Sequence, residues 1–209
     1  MASQIPFKAL NYEAGPPSAS STSFSLSTPS SVDIWRKPPV LDVFNAPVIY
    51  KSIALSKFKR VRVTISGAWE TLFDQGGLVF VLPSQNTDEK QRWIKSGIEF
   101  YEGSPFVSTV GADRYADWSL LPVPQASQAK GKLTLEFERH PTDDTLWVYV
   151  IDEKEGKLPA REVTWALDNL QGDKQVWVGV YVAKPTKSDE GKKEVLDVQF
   201  EDFELELKD

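Results

Sequence analysis

Residues 92–101 carry side chains whose types and spacing could bind or transform a ligand. If this segment is a β-strand, alternate side chains point to opposite faces. One face is small or apolar, and the other combines two large rings, two opposite charges and a glycine: Trp93, Lys95, Gly97, Glu99 and Tyr101. Rings beside fixed charges are typical of a site for a planar or ring-shaped ligand. The alternative is that the rings pack under loops and the charges pair with neighbouring strands.

Adjacent strands must supply the partners of the two charged residues. Lys95 and Glu99 cannot pair along one extended strand, because four residues span about 13 Å. The polar segment 113–119 is a candidate neighbour, and it predicts an ion pair between Lys95 and Asp117 or between Glu99 and Arg114. In a cleft, side chains of this segment would instead orient a ligand. The predicted ligand-binding set is Trp93, Lys95, Glu99, Tyr101, Gln75, Asp117 and Ser119.

The same residues also suit acid–base catalysis. Glu99 or Asp117 could act as the general acid or base, and Lys95 could stabilise developing charge. Retaining glycosidases place two carboxyl groups about 5 to 5.5 Å apart. Here Tyr101, rather than a second carboxylate, lies two residues after the glutamate. The alternating carboxylates of residues 202–206 are more typical of a solvated strand face.

Composition excludes several classes of site and partner. The chain has no cysteine and one histidine, so disulfides, thiolate nucleophiles and thiolate-bound metals are ruled out. We therefore expect no metal ion and no cofactor. The net charge of −6 makes nucleic acid an unfavourable partner. The chain has no apolar run of about 18 residues, the length that would predict a membrane span. Residues 1–10 lack the pattern of a secretory signal, so we expect a cytoplasmic protein.

Alternating apolar and polar side chains predict most of the strands that would position these residues. The alternation is present in residues 58–65, 132–139, 145–152 and 175–183. Residues 77–82 are apolar on both faces, as in a central buried strand. Short strands separated by turn residues are typical of an antiparallel sandwich of two sheets. The residues predicted to share its core are Val79, Ile94, Ile98, Phe100, Val148, Val178 and Val180.

The N-terminal part of the chain carries a weaker strand pattern. Phe24 and Leu26 alternate with serines, which predicts an edge strand over residues 22–28. Residues 1–20 are expected to form a partly flexible arm. We expect the whole chain, residues 1–209, to form a single domain, since β-sandwiches often reach this length as one unit.

Two further features concern the strands themselves. The parity of the apolar side chains changes between Phe200 and Phe203, which predicts a β-bulge at residues 201–202. Four outward-facing aromatic residues either line the cleft or pack beneath the N-terminal arm, and the sequence leaves both alternatives open. These four are Trp147, Tyr149, Trp177 and Tyr181.

Several short blocks of sequence resemble one family. They are residues 33–38 (DIWRKP), 74–78 (DQGGL), 93–99 (WIKSGIE), 107–110 (VSTV), 117–119 (DWS) and 177–181 (WVGVY). With these blocks the chain resembles, from about residue 20 to its end, the family of domains of unknown function that includes the fungal regulation-of-enolase protein. The resemblance implies an all-β jelly-roll sandwich of the concanavalin-A-like lectin/glucanase type, with one concave sheet. It also implies a cytoplasmic protein of poorly defined activity.

Three hypotheses of function follow. The first is a lectin-like module that binds a carbohydrate-like or other small ligand on the concave sheet, with a regulatory role in metabolism. The second is a hydrolase, isomerase or cyclase that uses Glu99 and Asp117 in the same cleft. The third is a regulatory protein that binds a metabolic enzyme and has no ligand of its own.

Overall fold

Two antiparallel sheets packed face to face form most of the structure, a computed structural model that describes residues 4–84, 90–168 and 174–208. The strands in chain order are β1 (Lys8–Leu10), β2 (Phe24–Pro29), β3 (Ile34–Lys37), β4 (Leu41–Phe44), β5 (Val48–Ala54), β6 (Phe58–Gly67), β7 (Gln75–Leu82), β8 (Arg92–Tyr101), β9 (Ser104–Ala112), β10 (Ala116–Pro122), β11 (Leu133–Arg139), β12 (Leu146–Asp152), β13 (Gly156–Val163), β14 (Gln175–Ala183) and β15 (Val195–Leu207). A 3-10 turn (Leu55–Lys57) precedes β6, and the helix α1 (Gln125–Lys130) precedes β11.

The strand order shows a two-sheet sandwich. Sheet A has the order β1-β5-β14-β7-β8-β9-β10, and sheet B has the order β13-β12-β11-β6-β15-β2. Strands β3 and β4 form a separate hairpin. The all-β class and the antiparallel sandwich predicted from the sequence are therefore confirmed. No helix in the described part of the chain is long and apolar enough to cross a membrane.

The main core lies between the two sheets and follows from period-2 patterning. Sheet B contributes Val61 and Val63 of β6 together with Val148 of β12. Sheet A contributes Ile94 and Ile98 of β8, which are likewise buried. Alternate side chains of these strands meet across the interior because one face of each strand is apolar.

A second apolar cluster covers the opposite face of sheet A, because the β3–β4 hairpin packs there. Ile34 and Phe44 of the hairpin join a cluster that contains Val79 and Trp93 of the sheet. Val79 is thus buried as predicted, but it belongs to this outer cluster and not to the core between the sheets. Phe100, also predicted to be buried, is only half-buried.

The predictions of an edge strand near the N-terminus and of a bulge in the last strand are confirmed. Strand β2 pairs with β15 at the edge of sheet B, and Leu26 is buried there. The register of β15 against β6 shifts between Glu201 and Glu204, and Asp202 has a φ of 54°. This is the expected bulge, which restores a common buried face for Phe200 and Phe203. The flexible arm and the single domain stay predictions.

Candidate functional site

A pocket of about 380 Å³ opens on the outer face of sheet A beside the β3–β4 hairpin. The hairpin and the turn before it form one wall, three strands of sheet A form the floor, and two chain segments close the rim. The lining residues are Asp33, Trp35, Leu41, Phe73, Gln75, Glu99, Trp118, Pro185 and Thr186. The pocket thus combines aromatic rings with two carboxylates.

The register between β7 and β8 places the polar side chains of the pocket floor. Gln75 of β7 lies directly opposite Glu99 of β8, so both side chains project from the same face of sheet A. Gly77 and Gly97, paired two residues further along, bring the two strands unusually close. A Cβ at Gly97 would lie 1.9 Å from the carbonyl oxygen of Gly76. The neighbouring strand therefore occupies the space that the glycine leaves free.

A buried ion pair positions two parts of the rim. Asp74 accepts hydrogen bonds from the backbone N–H groups of Glu70 (3.1 Å) and Thr71 (2.9 Å) and from Lys184 Nζ (2.9 Å). Both charged side chains are only 2% exposed. The loop that ends at Phe73 is thereby tied to the end of β14, where the chain enters the opposite rim.

Glu99 is the buried carboxylate of the floor, and only one of its two oxygens accepts hydrogen bonds from described residues. Its Oε2 accepts from Ser108 Oγ at 2.5 Å and from Trp118 Nε1 at 3.0 Å. Its Oε1 accepts no hydrogen bond from a described residue and is not sealed from solvent. Burial raises the pKa of Glu99, and the charge of Lys95 and the two hydrogen bonds only partly oppose that rise.

Lys95 lies beneath the pocket floor and is 2% exposed. Its Nζ donates to Gln75 Oε1 at 2.6 Å and lies 3.6 Å from Asp33 Oδ1. The ammonium also lies 5.8 Å and 5.5 Å from the ring centroids of Trp93 and Tyr181. Burial lowers the pKa of Lys95, with Asp33 and Glu99 opposing the change, and it raises the pKa of Tyr181 well above its usual value.

Four of the residues predicted for the site come together in or beside the pocket. Gln75 and Glu99 line it, and Lys95 supports them from below. Tyr101 stands behind the aromatic wall, with its ring 5.9 Å from Phe73 and 5.4 Å from Trp118. The separation of β8 into an apolar face and a polar, aromatic face is therefore confirmed. A ligand-binding role for these residues stays a prediction.

The predicted place of Trp93 in the cleft lining is wrong. Its side chain is fully buried, and its ring packs edge-on against Phe44 of the hairpin with 6.5 Å between centroids. The reason is that the hairpin covers this part of the sheet. The ring forms the packed end of the outer face and offers no surface to a ligand.

Asp117 and Ser119 are also misplaced by the sequence analysis. They lie on the opposite face of β10 from Trp118, where Arg161 of β13 donates to Asp117 Oδ2 and to Ser119 Oγ. The predicted Lys95–Asp117 pair is therefore wrong, and Asp117 cannot join Glu99 in catalysis. Trp118, which lies between these two residues, is the residue of this segment that contacts Glu99.

Other lining residues were missed although the sequence blocks contained them. Asp33 and Trp35 belong to the block at residues 33–38, and Phe73 directly precedes the block at residues 74–78. Their separation in sequence from β8 gave no sign that they share a pocket with it. Only the docking of the hairpin on sheet A brings these groups together.

The four outward-facing aromatic residues separate into two pairs. Trp147 and Tyr149 stack at 5.8 Å on the outer face of sheet B, away from the pocket. Tyr181 lies beneath the pocket floor and donates a hydrogen bond to Gln75 Oε1 at 3.3 Å. Trp177 stacks on Tyr50 at 4.6 Å and lines a separate open depression beyond the hairpin.

Comparison with known proteins identifies a family but no activity. Residues 13–208 match the family described as "Protein of unknown function (DUF1349)". An uncharacterized protein of Emericella nidulans is 47% identical over 165 residues, which cover 79% of this chain and 78% of that protein. These matches show relatedness over most of the chain.

Solved structures support the fold alone. A functionally unknown protein from Saccharomyces cerevisiae is 20% identical, with a TM-score of 0.73, and the match covers 97% of this chain and 96% of that one. An alginate lyase from Klebsiella pneumoniae is 10% identical, with a TM-score of 0.55, and the match covers 96% of this chain and 84% of the lyase. The architecture is the concanavalin-A-like sandwich that the resemblance implied.

Proposed function

We propose that this chain, which belongs to the DUF1349 family of proteins of unknown function, is a binding protein for a small ligand. The ligand would occupy the pocket between the β3–β4 hairpin and sheet A, with Trp35, Phe73 and Trp118 around it and Glu99 below it. The pocket volume of about 380 Å³ lies within the range of small-molecule sites.

The observation that carries this proposal is the buried polar floor beneath an open aromatic pocket. Lys95 and Glu99 are 2% and 5% exposed, and removing such charges from water costs several kcal/mol per ion. Apolar side chains of similar size would often be as stable or more stable at such positions. Buried ionisable groups with shifted pKa values in a pocket are typical of functional sites.

A carbohydrate-like molecule is one class of ligand that this pocket would accommodate. Sugar rings present apolar faces that pack on aromatic side chains, and their hydroxyl groups would donate to the carboxylates of Asp33 and Glu99. The similarity in fold to an alginate lyase supports this class. Fold alone does not define function, so the class must be tested directly.

A thermal-shift panel tests the binding proposal. Wild-type protein and the Trp118→Ala variant are heated with monosaccharides, sugar phosphates and small ammonium compounds. A ligand at 100 times its dissociation constant adds about 2.7 kcal/mol to the free energy of unfolding. We expect at least one compound to raise the Tm of the wild type and to leave that of the variant unchanged. A panel without any shift, or equal shifts in both proteins, would contradict the proposal.

An enzyme that uses the same pocket is a second candidate, favoured by the raised pKa of Glu99. A carboxyl group with a raised pKa can act as a general acid near neutral pH. Asp33 then takes the place of Asp117 as the second carboxylate. If Glu99 is the acid, Glu99→Gln should reduce turnover roughly 100-fold or more while ligand binding persists. Equal turnover in variant and wild type would exclude this role.

A regulatory role in metabolism, through a metabolic enzyme as partner, remains a proposal that rests on the family resemblance. A cytoplasmic location is proposed on the same ground. Both can be tested by locating the tagged protein in cells and by measuring its binding to purified enolase, where a dissociation constant above about 1 mM would argue against a direct regulatory contact.

A further inference from the structure

The charged groups in the pocket lining are all acidic. Of the lining residues that the structure describes, only Asp33 and Glu99 carry charges, and Lys95 lies below them out of reach of the opening. Each carboxylate keeps one oxygen that accepts no hydrogen bond from a described residue: Asp33 Oδ2 and Glu99 Oε1. Among the described residues, the pocket therefore presents unused acceptor groups to a ligand.

Counted at their formal charges, the three ionisable groups around the floor carry a net negative charge. With Lys95 protonated and both carboxylates ionised, the formal charge of the three groups is −1. Burial disfavours both the ammonium of Lys95 and the carboxylate of Glu99. The ammonium of Lys95 is 2% exposed below the two carboxylates, so a ligand in the opening meets the carboxylates first. The pocket therefore favours a positively charged ligand and disfavours an anion.

The aromatic rings provide a second surface that attracts cations. Trp118 is nearly perpendicular to Trp35, at 89° with 6.2 Å between centroids, and it meets Phe73 at 70° and 6.3 Å. Perpendicular rings form the corners of a partial cage, and aromatic ring faces attract cations. Beneath the same pocket, the protein already holds the ammonium of Lys95 near two rings, Trp93 and Tyr181.

We infer that the pocket selects a small organic cation, a molecule with an alkylated ammonium group, over a neutral molecule of the same shape. The inference rests on the proposed function, since it names the ligand class of that same pocket. A quaternary ammonium group needs no hydrogen-bond partner and is matched by ring faces and carboxylates together. The pocket volume of about 380 Å³ suits a free small molecule.

The test is a calorimetric titration with a matched pair of probes. Choline carries the quaternary ammonium group, and 3,3-dimethyl-1-butanol is its neutral isostere. We expect choline to bind at least about tenfold more tightly, the effect of a partly desolvated cation–π contact with an added opposite charge. A peptide that contains trimethyl-lysine is the third probe, and tighter binding of the peptide than of choline would overturn the assignment to a free small molecule.

Charge-neutralising variants locate the effect within the pocket. Asp33→Asn and Glu99→Gln remove a carboxylate charge and keep its shape, and each should weaken choline binding by about tenfold. Asp117→Asn is the matched control, because Asp117 lies on the opposite face of β10 beside Arg161, and it should leave choline binding unchanged. Equal effects of the Asp33 and Asp117 variants would overturn the inference.

Failure of this inference and failure of the proposed function give different results. If the isostere or glucose binds as tightly as choline and the binding depends on Trp118, the cation preference is wrong and the pocket is still a ligand site. If no compound of the thermal-shift panel gives a Trp118-dependent shift, the proposed function itself is wrong.

Discussion

The pKa of Glu99, on the pocket floor, is set by two opposing effects, its burial and its local partners. Burial favours the neutral acid, while Lys95, Ser108 and Trp118 favour the carboxylate, and burial has the larger effect on its pKa. The alternation along β8 predicted that Glu99 lies on the polar face, and its side chain does line the pocket on that face. Its partners could not be predicted, because they come from two other strands whose registers the sequence does not reveal.

The raised pKa of Glu99 should make the stability of the protein depend on pH. Its ordinary pKa is 4.5, so between pH 4.5 and its raised pKa the folded state binds more protons than the unfolded state. The stabilisation from the neutral acid is complete below about pH 4.5 and is lost as the pH rises through the raised value. Urea denaturation should therefore show wild type losing stability relative to Glu99→Gln over that window.

Glu206 provides a control of opposite sign. Hydrogen bonds from Lys59 and Arg60 lower the pKa of this exposed carboxylate. Its contribution is present above its ordinary pKa and is lost as the pH falls through the lowered value. Wild type should thus gain stability relative to Glu206→Gln as the pH rises towards 4.5. A pH-independent difference between wild type and Glu99→Gln would contradict the assignment of Glu99.

Trp118 has two separable roles, as a wall of the pocket and as a donor to Glu99. Trp118→Phe keeps a ring and removes the Nε1 donor, whereas Trp118→Ala removes both. We expect the phenylalanine variant to lose about 1 to 3 kcal/mol of stability from the lost hydrogen bond to a charged group, with weakened but measurable ligand binding. The alanine variant should lose ligand binding altogether. Calorimetric titration and urea denaturation separate the two roles. Equal ligand binding by both variants would contradict the role of Trp118 as a wall of the pocket.

At the level of strands, the close contact between β7 and β8 depends on glycine. A Cβ at Gly97 would overlap the backbone of β7, whereas one at Gly111 of β9 would meet only the ring of Trp165 at 3.5 Å. Gly97→Ala should therefore destabilise the protein by about 3 kcal/mol or more, because a backbone clash cannot be relieved by a side-chain rotation. Gly111→Ala should change stability by less than about 1 kcal/mol. Similar urea midpoints for the two variants would refute the close approach.

The buried ion pair between Asp74 and Lys184 should be the main support of the pocket rim. Lys184→Met leaves a buried carboxylate without its counter-ion, which costs about 3 to 5 kcal/mol. Lys192→Met is the matched control, since Lys192 pairs with Asp189 at the surface, where the side chains are 38% and 78% exposed. The control should cost less than about 1 kcal/mol. If both variants lose equal stability in urea, the rim does not depend on the buried pair.

The hairpin explains why element-level predictions succeeded for strands and failed for Trp93. Alternation along a strand shows which residues share a face, and this prediction was correct for β8, whose Ile94 and Ile98 face the main core while Trp93 faces the outer cluster. It does not show what covers that face. The β3–β4 hairpin packs on one end of it through Phe44 and leaves the end around Glu99 open. Such docking depends on contacts between residues far apart in sequence.

For the molecule as a whole, composition and periodicity were sufficient to predict the sandwich, and the bulge in β15 followed from one change of parity. The pocket required more, because it is built from the hairpin, three strands and two rim segments. Asp117 shows the limit most clearly. Its neighbour Trp118 lies on the pocket side of β10, and only the pairing of β10 with β9 decides which of the two side chains faces the pocket.

The central claim is that a small ligand enters the pocket beside the hairpin, and the indole N–H signals of the tryptophans test it most directly. The chain has seven tryptophans, and single Trp→Phe variants assign their signals in the spectrum of ¹⁵N-labelled protein. Trp35 and Trp118 line the pocket, whereas Trp147 lies on the outer face of sheet B and serves as an internal control. The protein is titrated first with choline and then with glucose. We expect at least one probe to shift the signals of Trp35 and Trp118 along one saturable curve and to leave the signal of Trp147 in place. If neither probe moves the two pocket signals, or if Trp147 moves as much as they do, the claim is contradicted.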